Sequence, residues 1–65
     1  MYIITVKNEP GLMVMYWSTF NIEITTKTDN AIRFVTADEV NAAISMIQAV
    51  KKVKNITIDF EIVEI

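Results

Sequence analysis

The chain contains neither cysteine nor histidine. Without cysteine there is no disulfide, and without either residue a structural zinc site loses its usual ligands. Carboxylates and carbonyls suit calcium or magnesium instead, but no loop gathers them into a cage. Histidine is also the side chain that titrates nearest neutrality, so acid–base work would fall to carboxylates, lysines or tyrosines. None of these forms a distinctive constellation. The expectation is a protein that is not an enzyme, with no catalytic residue, no metal and no cofactor.

Glycine and proline occur once each, as Gly11 and Pro10. A single glycine cannot build a phosphate-cradling loop. Basic charge is also in short supply: six basic residues face eight acidic ones, for a net charge of −2. Phosphate-backbone binding draws on a basic excess, so this balance argues against nucleic acid as a partner. The longest unbroken apolar run, residues 12–17, is far too short to cross a bilayer, and no basic segment leads into a signal-like apolar core. A cytoplasmic protein with no membrane association is expected, and the absence of cysteine agrees with a reducing compartment.

Apolar side chains, in contrast, make up 52% of the 65 residues. A chain this short forms one domain, residues 1–65, near the size at which a single core barely outweighs the entropy of folding. With disulfides and zinc set aside, association is the remaining source of added stability.

Residues 2–7 are rich in β-branched and aromatic side chains and read as a strand. Asn8-Glu9-Pro10-Gly11 reads as a type II turn, with Pro10 fixing φ and Gly11 taking positive φ, so that residues 12–17 return as the second strand. Residues 18–21 suggest a bend. Residues 22–26 alternate, either continuing that strand or forming another, and residues 27–30 are a polar turn before a short strand at 31–35. Thr36-Ala37-Asp38-Glu39 is a capping box, in which Thr36 accepts from the Glu39 amide and the Glu39 side chain reaches back to the Thr36 amide. Val40, Ala43, Ile44, Ile47 and Val50 then recur at helical spacing, and Lys51, Lys52 and Lys54 suit the C-terminal dipole. A helix from 37 to about 53 follows, with Asn55 as its left-handed terminator. Residues 56–62 alternate as a final strand, placing Ile56, Ile58, Phe60 and Ile62 under the helix.

The fold class is therefore α+β: an antiparallel or mixed sheet of four to five strands, packed on one face by a single helix, in the order β-β-(β)-β-α-β. The first and last strands are expected to pair near the sheet centre.

One helix covers one sheet face, yet residues 12–17 are large and apolar at every position. If Leu12, Val14 and Tyr16 face the helix, then Met13, Met15 and Trp17 form a stripe on the open face with Ile3 beside it. The register is equally open to inversion. Methionine and tryptophan are common at adaptable or energetically important interfaces, so this stripe is the candidate interface and a homodimer the expected assembly. The alternative is cover from within the chain, by Phe20 or residues 22–26. Asp59 and Glu61 share a side at i, i+2 spacing, either as a solvated strand face or as an acidic contact for a basic partner. The three lysines are explained by the helix dipole, with a phosphate contact as the alternative reading.

Over residues 31–40, Ala31-Ile32-Arg33-Phe34-Val35-Thr36-Ala37-Asp38-Glu39-Val40, the pattern Ala-x-x-Phe-x-Thr-x-x-Glu-[Ala/Val] resembles one seen in many short proteins of phages and prophages of Gram-positive bacteria. Those chains similarly open with a Tyr-Ile-Ile strand and close with an Ile-Val-Glu strand, here at residues 2–4 and 62–64. The methionine-rich second strand departs from that pattern. The resemblance implies a strand leading into a capped helix and carries over no catalytic residues. It also implies a role by binding, since short phage accessory proteins block host enzymes or defence complexes, CRISPR nucleases included, or modulate replication or transcription. The expected function is stoichiometric contact with a host or defence protein. The alternatives are a structural protein forming homo-oligomers with no foreign partner, and a ligand site at a subunit junction.

Overall fold

The computed structural model describes residues 1–65. The elements run β1 (Tyr2–Val6), β2 (Glu9–Trp17), β3 (Ile22–Thr25), α1 (Ala37–Lys54) and β4 (Phe60–Glu64). Every strand pairing is antiparallel, in the order β3-β2-β1-β4, and α1 packs on one face. This is the expected α+β fold, with the sheet antiparallel and four-stranded. β1 pairs with β4 along its whole length, but of the two β1 alone is interior, and β4 forms an outer edge rather than a central strand.

The helix ends follow from local chemistry. Thr36 holds an extended conformation, and its hydroxyl accepts from the Glu39 amide at 3.2 Å while donating to Glu39 Oε1 at 3.0 Å. The Glu39 carboxylate thus takes the cap hydroxyl where a full capping box would take the Thr36 amide. At the other end Asn55 turns left-handed, with φ 55° and ψ 39°, and the Asn55 and Ile56 amides both donate to the Lys51 carbonyl.

Three segments differ from the sequence reading. The corner between β1 and β2 is Lys7-Asn8, not Pro10-Gly11: Asn8 supplies the positive φ, at 67°, and Gly11 lies within β2 without one. Val6 pairs with Glu9 and Thr5 with Met13, so Pro10, Gly11 and Leu12 bulge out of the ladder, where proline's missing donor costs nothing. Residues 31–35 form no strand of their own. Tyr2 and Phe34 exchange two 2.8 Å backbone hydrogen bonds, and the Ile32 amide donates to the Val14 carbonyl at 3.2 Å. Residues 32–34 therefore fill the gap where β1 and β2 diverge. Finally, β4 starts at Phe60, four residues later than the alternation suggests, and Ile58 is exposed rather than under the helix.

Ile4, Val14, Phe34, Val40, Ala43 and Ile47 form the main core between sheet and helix, with Tyr2, Trp17, Ile22, Phe60 and Ile62 packed around it. On the opposite face Ile3 and Met13 close against Ala31, flanked by Val63. Phe20 does not supply this cover, since it is exposed, and β3 lies beside β2 as an edge strand of the same sheet rather than over its face. The mismatch between one helix and a two-faced apolar strand is met in part by the segment that delivers Ala31 to one face and Ile32 and Phe34 to the other.

Candidate functional site

The four interface residues expected from sequence do not form one stripe. Met13 and Ile3 are buried, at 3% and 8% exposure, in the small core beneath Ala31. Between Val14 and Tyr16 the register of β2 against β3 shifts, a bulge centred on the half-buried Met15. Because of that shift Trp17 lies on the helix side, opposite Ile22, with its ring 6.0 Å from that of Phe34. Tyr16, opposite Glu23, is the exposed residue of this run.

Trp17 nevertheless reaches a surface feature. With Ser18 and Thr19 it forms one wall of a groove of about 260 Å³, whose other wall is α1 through Met46, Ala49, Val50 and Val53. The lining is mostly apolar. Met46 and Val53 are more than half exposed, and Phe20 stands exposed in the loop next to Thr19. Along α1, Ala42, Met46, Ala49 and Val53 make a second apolar stripe, solvent-facing and distinct from the buried stripe of Val40, Ala43, Ile47 and Val50. Exposed apolar groups gathered this way on a small domain mark contact sites more often than isolated exposed residues do. The helix stripe is not among the interface residues expected from sequence, although its 42/46/49/53 spacing is legible there.

A larger hollow of about 570 Å³ lies at the end of α1, lined by Gln48, Lys51, Lys52, Asn55, Ile56 and Thr57. Its chemistry pulls two ways. Lysines favour an anion, but the helix C-terminus presents carbonyls, and Lys51 is already bound to Asp59. The Asp59 carboxyl sits below its ordinary range because the Lys51 ammonium donates to it and attracts its charge, which outweighs an opposing desolvation, and the Lys7 charge adds the smallest share. Of the two residues read as an acidic contact, Asp59 is therefore engaged within the chain, while Glu61 pairs with Thr5 on the face away from α1. Nowhere do three or more acidic side chains converge on a point that would hold a cation. No helix is long and apolar enough to cross a membrane.

No family model matches the chain, and no curated protein and no solved structure is significantly similar to it.

Proposed function

We propose that the chain is a non-enzymatic protein-binding module that works by stoichiometric contact through the groove and the outer stripe of α1. The observation that supports this reading is the uncovered row of Met46, Ala49 and Val53 beside a half-buried tryptophan. Tryptophan supplies a large rigid anchor and methionine an adaptable one, the pairing that concentrates binding energy at interface centres. The resemblance of residues 31–40 to short phage accessory proteins points to the same class of role, with a host or defence protein inhibited by occupation of its surface. Assembly into homo-oligomers is the second reading, favoured by the 42/46/49/53 spacing of the stripe, which suits helix-on-helix packing.

A photo-crosslinking amino acid placed at Val53, with a control at Asp29 on the exposed turn, tests the contact in cells that express the protein. Covalent adducts with another polypeptide are expected at position 53, absent at 29, and abolished by Met46→Glu. Equal labelling at both positions, or none at 53, would remove the groove as a functional surface.

A further inference from the structure

We propose that the outer stripe of α1 is filled by a second copy of this chain, packed helix against helix in the antiparallel sense. This inference rests on the groove as a contact surface, takes its homo-oligomeric reading, and adds the orientation of the copy that fills it.

Ala42, Met46, Ala49 and Val53 follow one another at steps of 4, 3 and 4 residues, the spacing of a coiled-coil seam. All four are exposed. Turning one helix over against another, about an axis near Ile47 and Gln48, sets Ala42 opposite Val53 and Met46 opposite Ala49. A large side chain then meets a small one at every level. A parallel pairing would set Met46 against Met46 and Ala49 against Ala49, alternating crowding with voids, and both are costly.

Charge selects the same orientation. The first turn of α1 carries Asp38 and Glu39, and the last carries Lys51, Lys52 and Lys54. Glu39 is held by the Thr36 hydroxyl and Lys51 by Asp59, which leaves Asp38, Lys52 and Lys54 without an ion-pair partner in the chain. In the antiparallel arrangement Lys54 of one copy lies beside Asn41 of the other, one turn from Asp38 and within reach of its carboxylate. The helix dipoles oppose as well. A parallel arrangement would place like charge on like at both ends.

Stable interfaces engage roughly 20–30 residues a side. A three-turn seam with the neighbouring loop of Trp17 to Phe20 engages fewer, so a dissociation constant in the micromolar range is expected, and the dimer forms and separates with concentration.

Sedimentation equilibrium from about 1 µM to about 1 mM should show the mass rising from one chain of 7.4 kDa toward two. Ala49→Glu, a change to a good helix former at an exposed position, should weaken association at least tenfold with the circular dichroism unchanged. Because the chain has no cysteine, orientation is read directly. Ala42→Cys mixed with Val53→Cys should form disulfides between the two variants, far faster than either variant alone. Faster pairing of Val53→Cys with itself would overturn the antiparallel seam. A single-chain mass at every concentration would overturn the second copy altogether. In that case, foreign protein captured by the crosslinker at Val53 would leave the contact surface standing with another occupant, and the absence of any adduct would remove both.

Discussion

Lys51 Nζ stands 2.9 Å from Asp59 Oδ1, an ion pair that ties the last turns of α1 to the residue preceding β4. The same ammonium lies 6.0 Å from the centre of the Phe60 ring, so one lysine spans the seam between helix and edge strand. The Asp59 side chain is largely exposed, which makes the pair a modest, salt-screened tether.

Its pH dependence has a definite sign. The Asp59 carboxyl is held below its ordinary value of 3.8 in the folded chain, chiefly by the Lys51 hydrogen bond and charge. Unfolding returns it to that value, so the contribution is whole at neutral pH and is lost as pH falls through the lowered folded value. Urea midpoints measured at pH 7 and below pH 3 should therefore fall further for the wild type than for Asp59→Asn. Parallel acid limbs for the two proteins would show that the pair adds nothing.

Thr5 is 1% exposed on the face away from α1, between Met13 and Glu61, and its hydroxyl has no hydrogen-bond partner. Replacing a buried, unpartnered hydroxyl with a methyl of the same shape relieves a desolvation cost. Thr5→Val should stabilise the domain by about 1 kcal/mol, read as a higher urea midpoint at unchanged slope. A lower midpoint would mean that the hydroxyl is satisfied in solution.

The position of the β1–β2 corner can be tested with two alanines. Gly11 has no positive φ, and a Cβ added there meets nothing within 4 Å, so Gly11→Ala should stabilise by about 0.4–1 kcal/mol through the unfolded state. Asn8 carries the left-handed conformation, and Asn8→Ala should cost about 1 kcal/mol. The opposite order in thermal melts would return the turn to Pro10-Gly11.

Ile47 is fully buried at the centre of the main core. Ile47→Ala should cost about 2–5 kcal/mol. A domain of this size rarely holds more than about 3–5 kcal/mol. The variant should accordingly be mostly unfolded at 25 °C by circular dichroism, and a cooperative melt close to that of the wild type would contradict the central packing of Ile47.

The helix was legible because three independent signals coincide: the Thr36 cap, the 40/43/47/50 spacing and the Asn55 terminator. β1 was legible from its β-branched run. Where the reading departed from the structure, the deciding contacts are long-range. The Pro-Gly pair is a strong local turn signal, but the pairing of Thr5 with Met13 leaves it in a bulge. Residues 31–35 carry the apolar side chains of a short strand, yet they fit between two strands and complete a single bridge. In residues 12–17 every side chain is large and apolar, so nothing in the sequence marks the bulge at Met15 that sends Trp17 to the helix side. That shift, invisible in composition, separates the expected stripe from the groove the structure forms.

The Tyr2–Phe34 rung has a bearing on how the parts find their phase. Phe34 stands two residues before the Thr36 cap, so the bond that closes the leading end of β1 also fixes the point from which α1 is wound. A slip of one residue at that rung would present the helix turned by about 100°, carrying Val40 and Ile47 off the sheet. Sheet closure and helix orientation are in this way a single adjustment, made by a segment too short to count as a strand.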